Sequence, residues 1–470
     1  MTSVIGREDQ VTLLQKALSS GKSELVCMYG RRRVGKTFLV RETYSKNIVF
    51  EVSGISGAGY REQLNNFHFE ISKKAKKFCK KEVPSDWFTA FNMLGDYINS
   101  IKSNRKKVIF IDEFPWLHTH KSRFVSMFGH FWNNFCSKRK DLVVVICGSS
   151  ASFMVKKVIN DKGGLHNRIS TLIRLMPFNL YETEKFLKSR KVHFDRYDLI
   201  RLYMTLGGIP HYLEKVFPED SIATAIDRLF NKNGGTLVNE FNLVFASLFE
   251  DAQNHINIIK YLAKSKSGIS RDELVEKTGI TSGGTLTNAI NELSESGFIT
   301  EYPPFENKKK NTLFRLSDEY SLFYLKFVEN NAQKNWKSFF SSRNYVAWSG
   351  FAFETLCLKH IMQIKKGLGL SGIDTVNSSW KNENAQIDLL IDRSDRCINI
   401  CEMKFSEKQF VITKNYADNL RKKRMELTKS VESRKNLFAT LITTYGVKEN
   451  QHSRAVMTNQ LLMDVLFEKE

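Results

Sequence analysis

The sequence is poor in proline, with seven in 470 residues, and has no Pro- or Gly-rich stretch. Long flexible linkers are therefore not expected, and the domains should join through short, ordered connections. No run of about 18 apolar residues exists to span a bilayer as a helix. The opening segment MTSVIGREDQ lacks the basic-then-apolar pattern of a signal peptide. Cysteine is sparse and never arranged as C-x-x-C; the seven stand singly at 27, 79, 136, 147, 357, 397 and 401. They read as reduced thiols of a cytoplasmic protein, used as small apolar core residues. Internal repeats and low-complexity segments are absent. Acidic side chains are also in deficit, 50 against 71 lysines and arginines, which gives a net charge of +21. Such an excess favours a polyanionic partner, and the lack of a spanning apolar run leaves no membrane expected.

At roughly 100–200 residues per domain the length suggests about three domains. Short apolar runs at 24–29, 48–52, 108–111 and 142–147 read as buried strands. Helical stretches lie between them, near 60–78 and 86–102, so a parallel sheet covered on both faces is expected. The pattern after Pro177 is helical to about residue 250. From about 345 a long helix leads into strands at 386–392 and 398–405, a helix over 414–432 and a strand over 436–443.

The segment Gly30-Arg31-Arg32-Arg33-Val34-Gly35-Lys36-Thr37 matches G-x-x-x-x-G-K-[ST], with an apolar strand before it and a helix after it, through Phe38. Glycines let backbone N–H groups curl around phosphate oxygens, and the helix N-terminus adds positive potential. Lys36 would reach the β/γ-phosphates of ATP, and the Thr37 hydroxyl would ligate Mg²⁺. In VIFIDEFPWL, Asp112 and Glu113 follow four apolar residues; Asp112 would hold Mg²⁺ and Glu113 would orient the attacking water. The strand VVVIC ends in Gly148-Ser149-Ser150, where Ser149 is a candidate γ-phosphate sensor.

Residues 4–240 resemble the archaeal-type ATPases of the wider AAA+ and STAND group. VIGRE at 4–8, GRRRVGKT, VIFIDE, CGSS at 147–150 and GGIPHYL at 207–213 carry the likeness, in that order. The resemblance implies that Gly6 and Arg7 lie near the adenine, and Gly208-Ile209-Pro210 near the base in a helical lid. Arg168 matches a basic position of that family, although Asn167 stands where a glycine is usual. A charge-stabilising arginine and a surface salt bridge are both open readings for it.

Residues 252–318 resemble a winged helix-turn-helix. Ser270-x-x-Glu273 is a capping box, TLTNAINELSESG a second helix, and PPFENKKKN a wing with Lys308, Lys309 and Lys310 at its tip. The second helix carries Asn288, Asn291, Glu292 and Glu295 but no Arg or Lys, which points to non-specific DNA contact or an intramolecular role rather than base reading.

In the last third, QIDLLID carries Asp388, and CINICEMKF carries Glu402 and Lys404, which leave one face of a strand. Two carboxylates and a lysine can hold Mg²⁺ and activate water against a phosphodiester. The pattern resembles the PD-(D/E)xK nuclease superfamily, with Ile387 in place of the usual proline. The resemblance implies that Glu354 on the preceding helix joins the site and Gln386 lines it.

The expectation is thus a multidomain α/β chain. Residues 1–175 would form a P-loop parallel-sheet ATPase core, 176–250 a helical lid, and 251–330 the winged helix-turn-helix. Residues 345–470 would be an α/β restriction-endonuclease-like domain. Catalysis falls to Lys36 and Glu113 at one site, and to Glu354, Asp388, Glu402 and Lys404 at the other. Arg31, Arg32, Arg33, Val34, Phe38, Ser149, Arg168 and Pro210 complete the nucleotide contacts; Thr37, Asp112, Asp388 and Glu402 are the Mg²⁺ ligands. DNA is the expected partner and a homo-oligomer is left open. The alternative is a STAND-like nucleotide switch or DNA-binding regulator whose nuclease-like domain is inactive.

Overall fold

The structure, a computed structural model, describes residues 4–74, 82–231, 233–249, 251–265, 268–303, 305, 312–330, 336, 338–431 and 435–469. The chain divides into two compact units, Met1–Met176 and Pro177–Glu470.

In the first unit β1 (Glu24–Tyr29), β2 (Ile48–Ser53), β3 (Lys107–Asp112), β4 (Leu142–Gly148) and β5 (Thr171–Arg174) form one sheet in the order β2-β3-β4-β1-β5. All neighbours are parallel. β1, β3 and β4 are buried at every residue, as covering both faces requires. Successive residues alternate between two cores. Leu25, Cys27, Ile109, Ile111, Val144 and Ile146 pack with Trp87, Phe91 and Phe124. Val26, Met28, Val108, Phe110, Val143 and Val145 pack with Leu14, Leu39 and Tyr44. The helix Trp87–Ser100 begins where Asp86 accepts the N–H of Thr89 at 2.8 Å, satisfying one of its orphan donors.

The second unit opens with the helices Leu180–Ser189, Arg196–Leu206, Ile222–Phe230 and Glu240–Leu248. Three more follow, Ala252–Leu262, Arg271–Thr278 and Gly284–Glu295. They accompany the antiparallel sheet of β6 (Ile269–Ser270), β7 (Ile299–Tyr302) and β8 (Leu313–Leu316), in the order β6-β8-β7. The Ser270–Glu273 capping box forms in both directions, at 3.2 and 2.8 Å. Lys308, Lys309 and Lys310 lie outside the described residues, as does Cys79. The helix Arg343–Lys359 then leads to β9 (Thr375–Lys381), β10 (Gln386–Arg393) and β11 (Cys397–Lys404), an antiparallel meander. Next come β12 (Phe410–Val411), the helix Lys414–Ser430, β13 (Asn436–Thr443), β14 (Val447–Lys448) and β15 (Asn459–Leu462). The main sheet has the order β15-β13-β11-β10-β9, with β11, β13 and β15 mutually parallel. Among the described residues no helix is long and apolar enough to cross a membrane, and the cysteines at 27, 136, 147, 357, 397 and 401 are buried and free.

One apolar core runs from Phe178 to Phe467 through this second unit. Within it the Lys359 ammonium meets the buried Glu319 carboxylate at 2.8 Å, and Tyr197 stacks on Phe405 with centroids 4.8 Å apart. His360, 1% exposed, accepts the N–H of Leu180 on Nε2 at 3.0 Å, and its Nδ1 faces the Leu356 carbonyl at 2.8 Å. This pairing needs a neutral ring with its proton on Nδ1. Burial pushes the His360 pKa down from 6.5 to about 4. The unfolded chain therefore takes up the proton first as pH falls. Stability contributed by the neutral ring is full above about pH 6.5 and is lost between 6.5 and 4, a loss on the order of 3 kcal/mol. Urea midpoints recorded from pH 7.5 to 4 should fall accordingly, and His360→Gln should flatten that part of the profile. An identical slope in the variant would show that the ring does not contribute.

Candidate functional site

Gly30 leaves β1 with φ +148°, and a Cβ there would lie 2.2 Å from the Leu175 carbonyl oxygen. Only glycine lets the loop start beside that backbone. Gly35 takes φ +90° just before the helix Lys36–Thr43. The Lys36 ammonium is buried and donates to the carbonyls of Gly30 at 2.8 Å and Arg31 at 3.0 Å. Burial lowers its pKa; Glu113, Cys147 and Asp112 act in the opposite sense. The Thr37 hydroxyl donates to Asp112 Oδ2 at 2.7 Å. The two expected magnesium ligands therefore touch, although 75 residues separate them. Glu113, in the left-handed region at φ +43°, follows β3 and opens the short helix Phe114–Leu117. Its Oε2 accepts both the backbone N–H and the hydroxyl of Ser149, at 3.1 and 2.7 Å. Lys36, Thr37, Asp112, Glu113 and Ser149 thus meet at the C-terminal ends of β1, β3 and β4, the edge where open α/β sheets take ligands.

Around this group Arg31 and Val34 are buried, Arg32 and Arg33 are half-buried, and Phe38 is 50% exposed. Arg32 lies over the Trp116 ring, 5.0 Å from its centroid; Trp116 was not expected at the site, and its position three residues after Glu113 was the only signal. Arg7 donates to the Met176 carbonyl at 2.7 Å. Arg168 is exposed in the turn before β5, with Asn167 at φ +53°. Pro210 opens the short helix Pro210–Leu213 in the second unit.

The carboxylate–lysine cluster lies at the other site. Leu389 pairs with Cys401, and Asp388 and Glu402 follow one residue beyond. The pairing of β10 with β9 shifts between Ile387 and Leu390, so Ile387 and Leu390 share a core while Leu389 faces the other one. Asp388 lies within this irregularity, the kind of strand feature that re-aims side chains. Gln386 donates to Asp388 Oδ1 at 2.8 Å. Lys404 lies 3.7 Å from Glu402 Oε2. Glu354, 3.5 Å from Arg315, has its pKa raised to about 7 by burial and by the charge of Asp388, against the pull of Arg315 and Lys404. The four expected residues therefore lie in one another's field.

Sequence reasoning missed three members. Lys423 forms an ion pair with Glu402 Oε1, and the Tyr416 hydroxyl donates to Glu402 Oε2 at 3.1 Å. They are seven residues apart on the helix Lys414–Ser430, hence on one face. Arg315 comes from β8, where nothing in the local pattern marked it. Among the described residues no three His, Cys, Asp or Glu side chains gather as a cation site.

Residues 5–216 match the family described as an ATPase domain predominantly from Archaea. Over 435 residues the chain is 24% identical to the Uncharacterized protein MJECL04 of Methanocaldococcus jannaschii, covering 90% of this chain and 92% of that protein. Among solved structures, the Walker-type ATPase PABY2304 of Pyrococcus abyssi aligns with a TM-score of 0.49 at 15% identity, over 69% of this chain and 96% of that one. The ORC2 protein of Aeropyrum pernix, in ADPNP–ADP complexes, aligns with a TM-score of 0.42 at 14% identity, over 73% and 96%. The family match gives residues 5–216 the character of an archaeal-type ATPase domain, with ATP as its ligand.

Proposed function

We propose that this chain hydrolyses Mg·ATP in its N-terminal domain and uses the nucleotide state to govern a C-terminal domain that cleaves or binds DNA. The observation that carries the first half is the meeting of Lys36, Thr37, Asp112, Glu113 and Ser149 at one sheet edge. A hydroxyl and a carboxylate at 2.7 Å make an all-oxygen donor pair suited to a hard cation. Thr37 and Asp112 would hold Mg²⁺, which when bound offsets charge on the phosphate oxygens. Lys36 would contact the β/γ-phosphates, and Glu113, oriented by Ser149, would direct the attacking water. Arg168 and Pro210 are proposed nucleotide contacts on the strength of the resemblance alone.

For the second half, the proposal divides the second unit into a lid over 176–250, a winged helix-turn-helix over 251–330 and a nuclease-like domain over 345–470. Support comes from the element order, helix, three antiparallel strands, helix and parallel strand, and from the shared field of Glu354, Asp388, Glu402 and Lys404. Asp388 and Glu402 would hold a cation as a pair. Labelled DNA incubated with the protein and Mg²⁺ or Mn²⁺, with and without ATP, tests this. Cleavage should drop about 10²-fold or more in Asp388→Ala and Lys404→Ala, while ATP turnover persists. Undiminished cleavage in both variants would overturn the assignment.

A second reading is favoured by the Lys423–Glu402 ion pair, which already neutralises that carboxylate. In it the C-terminal domain is catalytically silent and the chain is a nucleotide switch or DNA-binding regulator. That reading expects slow hydrolysis, nucleotide-dependent assembly and no cleavage.

A further inference from the structure

Beside Asp388 opens a cleft of about 330 Å³, lined by Asn384, Ala385, Gln386, Asp388, Asn419, Lys422 and Lys423. Its size is at the small end for a binding site, too small for a whole nucleotide strand and suited to one polar group. One wall is the strand entry that carries Asp388; the other is the helix Lys414–Ser430. That helix bears Lys414, Arg421, Lys422, Lys423, Arg424 and Lys429 against only Asp418 and Glu426.

The ion pairs sort these charges. Arg421 is taken by Asp418 at 2.7 Å, Lys429 by Glu426 at 2.6 Å, and Lys423 by Glu402. Lys422 is exposed and has no ion-pair partner among the described residues, and the Asn419 amide beside it has no hydrogen-bond partner among them. On the opposite wall, Gln386 already fills Asp388 Oδ1. The cleft thus offers free donors from one side and a partly satisfied carboxylate on the other.

We infer that this cleft is a subsite for one phosphodiester group of a nucleic-acid strand, with Lys422 and Asn419 donating to its non-bridging oxygens. A phosphate suits the helix wall, because Lys422 and Asn419 present N–H donors there. It fits better than an apolar group, because the walls are polar. The inference rests on the nucleic-acid reading of the C-terminal domain, but needs no chemistry there. Lys422 is then a positioning residue that fixes the strand against Asp388.

The test is binding, not cleavage. Fluorescein-labelled DNA duplexes and single strands of several sequences are titrated with the full chain in EDTA, by anisotropy, over a range of salt concentrations. Lys422→Ala is expected to weaken binding several-fold for every sequence, and to reduce the slope of log K against log salt by about one contact's worth, about 0.9 for duplex and about 0.7 for single strands. Asn419→Ala should weaken binding with little change of slope. Lys188→Ala, which removes an exposed charge from the same unit, should leave both unchanged. Lys422→Ala with unaltered affinity and slope, or affinity falling equally in Lys188→Ala, would overturn the subsite, as would a wild-type chain that fails to bind DNA. Inorganic phosphate competing as well as oligonucleotide at equal phosphate concentration would also overturn it, because the site would then read a free ion. The two readings separate cleanly. Cleavage lost in Asp388→Ala with binding indifferent to Lys422 rejects the subsite alone. Binding sensitive to Lys422 with no cleavage under any condition rejects the nuclease alone.

Discussion

Lys36→Ala is expected to lower ATP turnover by about 10²–10³-fold, the usual cost of losing one donor aimed at developing charge in a water-poor site. The ammonium is buried and held by two carbonyls of its own loop, which fixes it beside the loop and leaves one N–H for phosphate. Water cannot easily replace a charge held there, and the helix N-terminus behind it supplies only partial positive potential. Lys36→Arg should fail nearly as far, because a planar guanidinium cannot occupy the space of a compact ammonium held between two carbonyls. Phosphate release measured beside circular dichroism checks this. A folded alanine variant within tenfold of wild type would remove Lys36 from the chemistry and leave the loop as a structural turn.

That site was legible in the sequence because its parts are local. Gly30 to Thr37 is a contiguous motif, and Asp112-Glu113 follows a strand whose apolar run is unbroken. What could not be read was that Ser149 would hold Glu113 with two hydrogen bonds, since β4 neighbours β3 only after the sheet has chosen its order. The fold shows the same division. β1 to β4 announced themselves as apolar runs, even β2 at a sheet edge, whereas in β5 (TLIR) and β9 (TVNSSWK), also edge strands of mixed burial, polar residues interrupt any such run. In the second cluster, Asp388, Glu402 and Lys404 were visible from strand period and spacing. Lys423 and Tyr416 were hidden in a helix that the sequence marked only as an element, and Arg315 arrives from a region whose local pattern concerns only a hairpin. Long-range partners that come from packing leave no local trace.

Gly208→Ala should destabilise the second unit by about 3 kcal/mol or more, at the upper end of what overpacking costs. A Cβ at this position would lie 1.7 Å from the Phe178 carbonyl oxygen and 2.6 Å from its carbon. Backbone, not a flexible side-chain end, stands in the way. The strand of chain at Phe178 cannot simply retreat, because Phe178 donates its N–H to the Gly208 carbonyl at 2.6 Å and its own carbonyl accepts the buried Tyr203 hydroxyl at 2.8 Å. Moving it strands a buried hydroxyl as well, which adds about 1–3 kcal/mol. Gly350→Ala is the internal comparison: it sits within the helix Arg343–Lys359, a Cβ there meets nothing within 4 Å, and it should be stabilising by up to about 1 kcal/mol. Urea unfolding of both variants decides the matter. The element Gly208-Ile209-Pro210 first drew notice for its resemblance to a nucleotide-contacting lid segment. If contact with the base were the whole reason for this glycine, the alanine variant would melt like wild type and lose only affinity for ATP. Loss of stability without nucleotide instead identifies the glycine as the point where two backbone segments must touch.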